Sequence, residues 1–331
     1  MEFKKYNSIE NSYRTEFIER VAIATVNNND FVVQEKVHGA NFSLITNGKD
    51  LKSAKRTSLL KDSDSFYNHT LIKEMYYTKM LLLFEAIKKK YSDTKSITVF
   101  GELFGGSYPD IEQARGAMKV QKGVFYAPYN GFYAFDIMLN QSYYLNVIEV
   151  NQLLEAHGFF YAKTLFRGQL KESLEYSNTF ESKIPKWLKL PEIKDNICEG
   201  VVIKPVEPHF LPNGNRVIIK NKNAKWSEKS KANSKTVLQI ELSKEANLLQ
   251  VELERYINPN RLANVMSKES NLDSCQIGKL IGFLSKDAFE DFTKEFGTSF
   301  QLLEKVEQKR LTKQLNQCSA KLIRQEILQL Y

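Results

Sequence analysis

Cysteine is scarce in this 331-residue sequence. Cys198, Cys275 and Cys318 are far apart and odd in number. They exclude a disulfide framework and point to a reducing compartment. The four histidines, His38, His69, His157 and His209, form no His-x-x-x-His pair, and no Cys/His cluster has zinc-ligand spacing. No apolar run approaches the ~20 residues that cross a bilayer. The longest apolar patch, Met80-Leu81-Leu82-Leu83-Phe84, fits within one buried helix. The N-terminus, Met-Glu-Phe-Lys-Lys-Tyr, lacks the apolar stretch of a signal peptide. These absences predict a protein of a reducing compartment without a membrane role. Seven of the eight prolines lie before residue 227, and only Pro259 lies beyond it.

What is present is the composition of a globular protein, 42% apolar and 26% charged, with a length that predicts two domains. The net charge is +8 and the pI about 9.1. Lysine interleaved with tyrosine and phenylalanine suits a polyanionic partner, although a basic soluble protein reads the same way. Strand-like runs occur at Val32–His38, Phe42–Thr46, Ser96–Phe104, Phe132–Leu139, Gly200–Lys204 and Arg216–Lys220. Asn47-Gly48-Lys49-Asp50 reads as a hairpin turn. Helices are predicted at Leu71–Lys90 and at Val147–His157, the latter stopped by Gly158. Strands joined by short turns point to an α+β domain of antiparallel sheets with flanking helices, over residues 1–226. A polar, basic stretch at 227–237 reads as a linker. Residues 238–331 read as a small all-helical domain. In it Leu242, Ala246, Leu249 and Leu253 fall on one face, Leu302, Leu303 and Val306 begin another run, and Asp273 caps a helix through Leu284.

Six short segments carry charge at strand ends. The first is Glu35-Lys36-Val37-His38-Gly39-Ala40-Asn41-Phe42. A lysine among apolar strand residues is costly unless it is used, and partial burial favours its neutral, nucleophilic form. Gly39 would let a phosphate approach the backbone. Taken alone, Lys-x-x-Gly is more often a surface lysine before a turn. The others are Ala54-Lys55-Arg56-Thr57, Val99-Phe100-Gly101-Glu102, Phe132-Tyr133-Ala134-Phe135-Asp136, Glu199-Gly200-Val201-Val202-Ile203-Lys204 and Arg216-Val217-Ile218-Ile219-Lys220-Asn221-Lys222. Strand alternation puts Lys220 and Lys222 on one face, where an anion such as phosphate would relieve their repulsion. A strand end passing into the basic linker would look the same.

In this order, Lys36-Val37-His38-Gly39, Glu102, Phe135-Asp136, Glu199-Gly200 and Lys220-Asn221-Lys222 resemble motifs I, III, IIIa, IV and V of the covalent nucleotidyltransferases. That superfamily contains ATP-dependent DNA ligases, RNA ligases and mRNA capping enzymes. The fuller segments, with Phe3-Lys4-Lys5-Tyr6 and the tail Asn260–Lys268, resemble the bacteriophage RNA ligase 2 family, which includes the kinetoplastid RNA-editing ligases. The resemblance spans nearly the whole chain. The helical tail does not resemble the oligonucleotide-binding barrel of DNA ligases and capping enzymes.

The resemblance implies an ATP-dependent RNA ligase of phage type that seals 3′-hydroxyl/5′-phosphate ends at nicks in duplex RNA, in RNA repair. Lys36 would carry AMP. Lys220 and Lys222 would hold the α-phosphate, Glu199 would bind Mg²⁺ (or Mn²⁺), Phe135 would stack on adenine, and Arg56 and Glu102 would contact the ribose. Glu35 would accept from the adenine amino group. His38 and Asn41 would help place phosphates or Lys36, and Arg261 would contact RNA or ATP phosphates. Asp136 is read as either structural or functional. The enzyme is expected to act as a monomer. A DNA-joining or capping relative, or a non-catalytic basic RNA-binding protein, are the alternatives.

Overall fold

The computed structural model describes residues 1–226, 242–268 and 277–328. The expected linker at 227–237, the start of the expected helical domain up to 241, and the expected cap at Asp273 lie outside the described residues. The chain divides into two compact units, Met1–Lys225 and Trp226–Tyr331.

The first unit is built on two sheets. One has the order β1 (Glu10–Asn11), β11 (Ile219–Lys222), β10 (Gly200–Pro205), β2 (Phe31–Glu35), β9 (Thr164–Gly168). The other has the order β5 (Leu59–Leu60), β4 (Leu51–Lys55), β3 (Ala40–Thr46), β6 (Ile97–Ser107), β7 (Ala127–Leu139), β8 (Tyr143–Tyr144). The pairings are antiparallel except that of β1 with β11, which is parallel. This is the α+β class that the short turns imply. The β3–β4 hairpin turns where expected: Asn47 Oδ1 accepts the N–H groups of Lys49 and Asp50, and Gly48 takes a φ of 86°.

Each sheet buries one face under a helix. Along α2 (His69–Lys90), Ile72, Tyr76, Met80, Leu83 and Ile87 recur at helical spacing and pack on Leu44, Val99 and Ile137 of the six-stranded sheet. Phe17 and Val21 of α1 (Thr15–Ala24) pack on Phe31, Val33, Val201 and Ile203 of the other sheet. The other helices of this unit are α3 (Val147–Ala156), α4 (Leu170–Glu175) and α5 (Ile184–Trp187). Asn146 caps α3 by accepting from Glu149 N–H.

The expected strand Arg216–Lys220 is displaced. Arg216 bridges Phe210, and Val217 N–H donates to His209, so the sheet gains its strand only at Ile219–Lys222. The second unit contains α6 (Lys244–Arg255), α7 (Pro259–Lys268), α8 (Ile277–Leu302) and α9 (Lys305–Leu328). Ser243 Oγ caps α6, and Ala246, Leu249 and Leu253 pack with Phe292, Leu311 and Leu315. The run expected to start at Leu302 is broken by the α8–α9 turn: Leu303 is buried, whereas Leu302 and Val306 are exposed.

Candidate active site

Lys36 lies directly beyond β2, and its N–H donates to Gly200 O at 3.0 Å, extending the ladder with β10. Register does the rest. Gln34 opposes Val202, Val202 opposes Lys220, and Gly200 opposes Lys222. Opposed residues share a face, and the side-chain period is two. Lys36, Lys204, Lys220 and Lys222 therefore stand on one face of the five-stranded sheet. Across from them, Glu102, Tyr133 and Phe135 of the six-stranded sheet complete a cleft of about 460 Å³.

Glu199 ties the lysines together. Its Oε2 lies 2.6 Å from Lys36 Nζ and its Oε1 2.8 Å from Lys222 Nζ, while His38 Nδ1 stands 3.7 Å from Oε2. Burial alone would raise this carboxyl's pKa. The Lys222 and Lys36 ammonium groups outweigh it and hold the pKa at about 2. Burial pushes the His38 imidazole down to about 4 against the pull of Glu199, so His38 is neutral at pH 7. The backbone turns sharply after Glu199. Gly200 has a φ of 141°, and a Cβ there would meet Asn221 O at 2.2 Å. Gly39 is required for packing: a Cβ there would meet Leu103 O at 2.3 Å.

Glu102 lies opposite both Asn41 and Tyr133 in register. Burial pushes its carboxyl up to about 7, with Glu199 adding to the rise and Lys36 and Arg56 opposing it. An Asn41 side-chain hydrogen bond also opposes it, so Arg56 and Asn41 both act on Glu102. Phe135 reaches the cleft through a β-bulge. Phe100 pairs with Asp136 and Gly101 with Ala134, leaving Phe135 as the extra residue, whose side chain lines the cleft.

Glu35 also lines the cleft. Its carboxyl accepts from Ser182 Oγ at 2.6 Å and from Lys183 N–H at 2.8 Å, so both oxygens are engaged away from Lys36. Burial pushes its pKa up to about 7 against these two donors.

Behind Phe135 lies a buried group whose extent single-residue motifs do not reveal. Asp136 accepts from Tyr6 Oη and from Arg216 at 2.9 and 3.2 Å, and Lys204 Nζ stands 3.3 Å from it. Lys204 Nζ also donates to Phe135 O at 2.8 Å. Burial alone would raise the Asp136 pKa, but Arg216 and Lys204 together hold it below the usual carboxylate range. The Arg216 guanidinium lies 3.7 Å over the Tyr144 ring, and the Tyr6 ring meets Phe135 edge-on at 5.1 Å. The sequence signal was the charge at the ends of two strands, Asp136 on one and Arg216 near the other.

In the second unit Arg261 is 1% exposed. Its guanidinium donates to the Asp287 carboxylate and, at 2.9 Å, to Asp291, and Lys268 also binds Asp287. Arg261 thus ties α7 to α8 through two aspartates within the helical core.

Two largely antiparallel sheets thus close on a cleft lined by Lys36 and Lys204. The family profile described as RNA ligase matches residues 29–222, and the one described as T4 RNA ligase 2 C-terminal matches residues 240–321. The chain belongs to the RNA ligase family. It is 26% identical over 375 residues to "RNA-editing ligase 2, mitochondrial" of Trypanosoma brucei brucei, covering 94% of this chain and 88% of that one. Among solved structures, Naegleria gruberi RNA ligase with PPi is similar with a TM-score of 0.46 at 14% identity, over 68% of this chain and 57% of that one. A point mutant of the same ligase with ATP and Mn gives a TM-score of 0.45 at 15% identity, over 68% and 56%. The chain thus spans a little over half the length of the Naegleria chains. No helix among the described residues is long and apolar enough to cross a membrane.

Proposed function

We propose that the chain joins RNA ends with ATP through a lysyl-AMP intermediate on Lys36. The carrying observation is Lys36 and Lys222 gripping one buried carboxylate at the rim of a nucleotide-sized cleft. Lys36 Nζ, having lost its proton, attacks the α-phosphorus of ATP. A phosphorus–nitrogen bond forms, the α–β phosphoanhydride breaks, and pyrophosphate leaves. Lys220 and Lys222 stabilise the charge that grows on the α-phosphate. Phe135 stacks on the base, Glu102 with Arg56 and Asn41 binds the sugar side, and Glu35 walls the cleft beyond Lys36. The RNA 5′-phosphate then takes AMP from Lys36, and an adjacent 3′-hydroxyl displaces it.

A divalent cation fits this site. Among the described residues no cluster of three or more His, Cys, Asp or Glu side chains forms a protein cage. Mg²⁺ commonly uses one or two carboxylates with substrate phosphates, and Glu199 supplies a hard oxygen donor beside the phosphate lysines. Mg²⁺ or Mn²⁺ held there would offset phosphate charge. The substrate proposed is a nick in duplex RNA. The enzyme is proposed to act as a monomer in the cytoplasm, and the few scattered cysteines suit such a reducing compartment.

Incubation with α-labelled ATP, then separately with α-labelled GTP, followed by a denaturing gel, tests this reading. Acid-labile label from ATP is expected. No label from ATP sinks the reading, and label from GTP alone turns it toward capping chemistry.

A further inference from the structure

A compact loop beside the cleft carries features that the nucleotide site does not use. It is closed at its base by the bridge between Glu181 and Ile197, and Ser182 N–H donates to Asn196 O. Inside it, α5 is wound tightly, with Trp187, Leu188 and Leu190 N–H groups bonded back to Lys183, Ile184 and Pro185. Tyr108 Oη pins the far side through Pro191 O. The stretch from Ser182 to Pro191 holds three lysines and no acidic residue.

Its surface interleaves cations with aromatic rings. Lys163 Nζ lies 6.0 Å from the Tyr161 ring centroid and 5.7 Å from that of Trp187, so one ammonium spans two rings. Lys183 Nζ lies 5.9 Å from the Phe180 ring. Lys183, Lys186 and Lys189 are exposed, and the three rings are half-buried. Among the described residues, no ion pair joins the ammonium group of Lys163, Lys183, Lys186 or Lys189 to a carboxylate, while the Lys183 backbone and charge act on Glu35. This contrasts with Lys36, Lys204 and Lys222, each neutralised by an acid.

The surface is joined to the nucleotide cleft at two points. Ser182 and Lys183 N–H hold Glu35, and Ala162, the residue before Lys163, lines the cleft and accepts from Gln34 at 2.6 Å.

We propose that Trp187, Tyr161 and the lysines 163, 183, 186 and 189 form a docking platform for unpaired RNA nucleotides that extend beyond the nicked duplex. An incoming base takes the ring face that an ammonium now covers, and that ammonium moves to the adjoining phosphate. Stacking is tolerant of base identity, and the lysines follow the backbone. The platform deepens the RNA ligase reading, since RNA is the polyanion which that reading supplies. It requires nothing of the lysyl-AMP chemistry.

The test uses the full chain and a fluorescent single-stranded RNA. The K163A/K186A/K189A variant should bind it about tenfold more weakly near 0.1 M salt, with a salt slope smaller by about 2. The same variant should label Lys36 from ATP as the parent does. RNA should quench the tryptophan emission of the parent, and W187F should lose that quenching. Unchanged affinity and slope in the triple variant, or full quenching in W187F, would overturn the platform. So would equal binding of the parent and triple variant to RNA alongside a selective loss of anionic-vesicle binding, which assigns the patch to lipid. Absence of Lys36 labelling in the parent with the RNA results intact would instead overturn the ATP chemistry and leave the platform standing.

Discussion

Lys36 and Lys222 each hold one oxygen of Glu199, at 2.6 and 2.8 Å. The acid keeps two ammonium groups together in the absence of phosphate. Glu199→Ala leaves those charges facing each other with no anion between them. We expect a loss of about 3 kcal/mol in unfolding free energy, measured in urea at pH 7. The folded carboxyl titrates at about 2, below its ordinary 4.5, so its stabilisation is complete above pH 4.5 and lost as pH falls toward 2. The variant should lack that part of the acid transition.

Lys36→Arg keeps the charge against Glu199 and should fold, but a guanidinium stays protonated and cannot attack phosphorus. Labelling from ATP should fall to background in Lys36→Arg and Lys36→Ala alike. Surviving label in either would move the nucleophile elsewhere.

Glu102 gives the opposite pH sign. Its carboxyl is pushed up to about 7 from 4.5, so its contribution to stability is greatest below pH 4.5 and is lost as pH rises through 7. Glu102→Gln should therefore raise the melting temperature at pH 8 and change it little at pH 4.5. Nucleotide affinity, read by titration with ATP, should fall in the same variant. A lower melting temperature at pH 8 would contradict the burial argument.

Asp136→Asn removes the anion that faces Arg216 and Lys204 in a dry interior. A loss of about 3–5 kcal/mol is expected in denaturant unfolding. Tyr6→Phe keeps the ring against Phe135 and should cost only about 1–2 kcal/mol. Equal losses would mean that the tyrosine hydroxyl, rather than the paired charges, holds the group together.

Gly39→Ala places a methyl against Leu103 O and must push β3 from β6 near Glu102. Lys36 labelling should drop while the circular dichroism spectrum stays close to the parent's. Normal labelling would show that the strand can shift freely.

The lysine face was legible because period two and a turn at Gly200 are local properties of the chain. Lys220 and Lys222 could be placed together from alternation alone, and the α2 stripe and the Asn47–Asp50 turn are equally local, whereas Lys36 joins them only through the β2–β10–β11 register. The direction of Glu35 was not legible. It depends on Ser182 and Lys183, which are 147 and 148 residues away. Phe135 could be assigned to the cleft only through the resemblance, because a bulge is a matter of pairing register, which a single strand does not display. The enclosure of Arg261 is likewise tertiary, set by aspartates 26 and 30 residues on.

The parallel pairing of β1 with β11 has a consequence for biosynthesis. Ser12 reaches Asn221 across 209 residues of chain. β1 therefore stays without its partner, the strand bearing Lys220 and Lys222, until nearly the whole unit has left the ribosome. So long a loop closes slowly. The phosphate-binding edge is finished late, by segments made first and last, and a stalled or truncated chain would not present a working nucleophile to ATP.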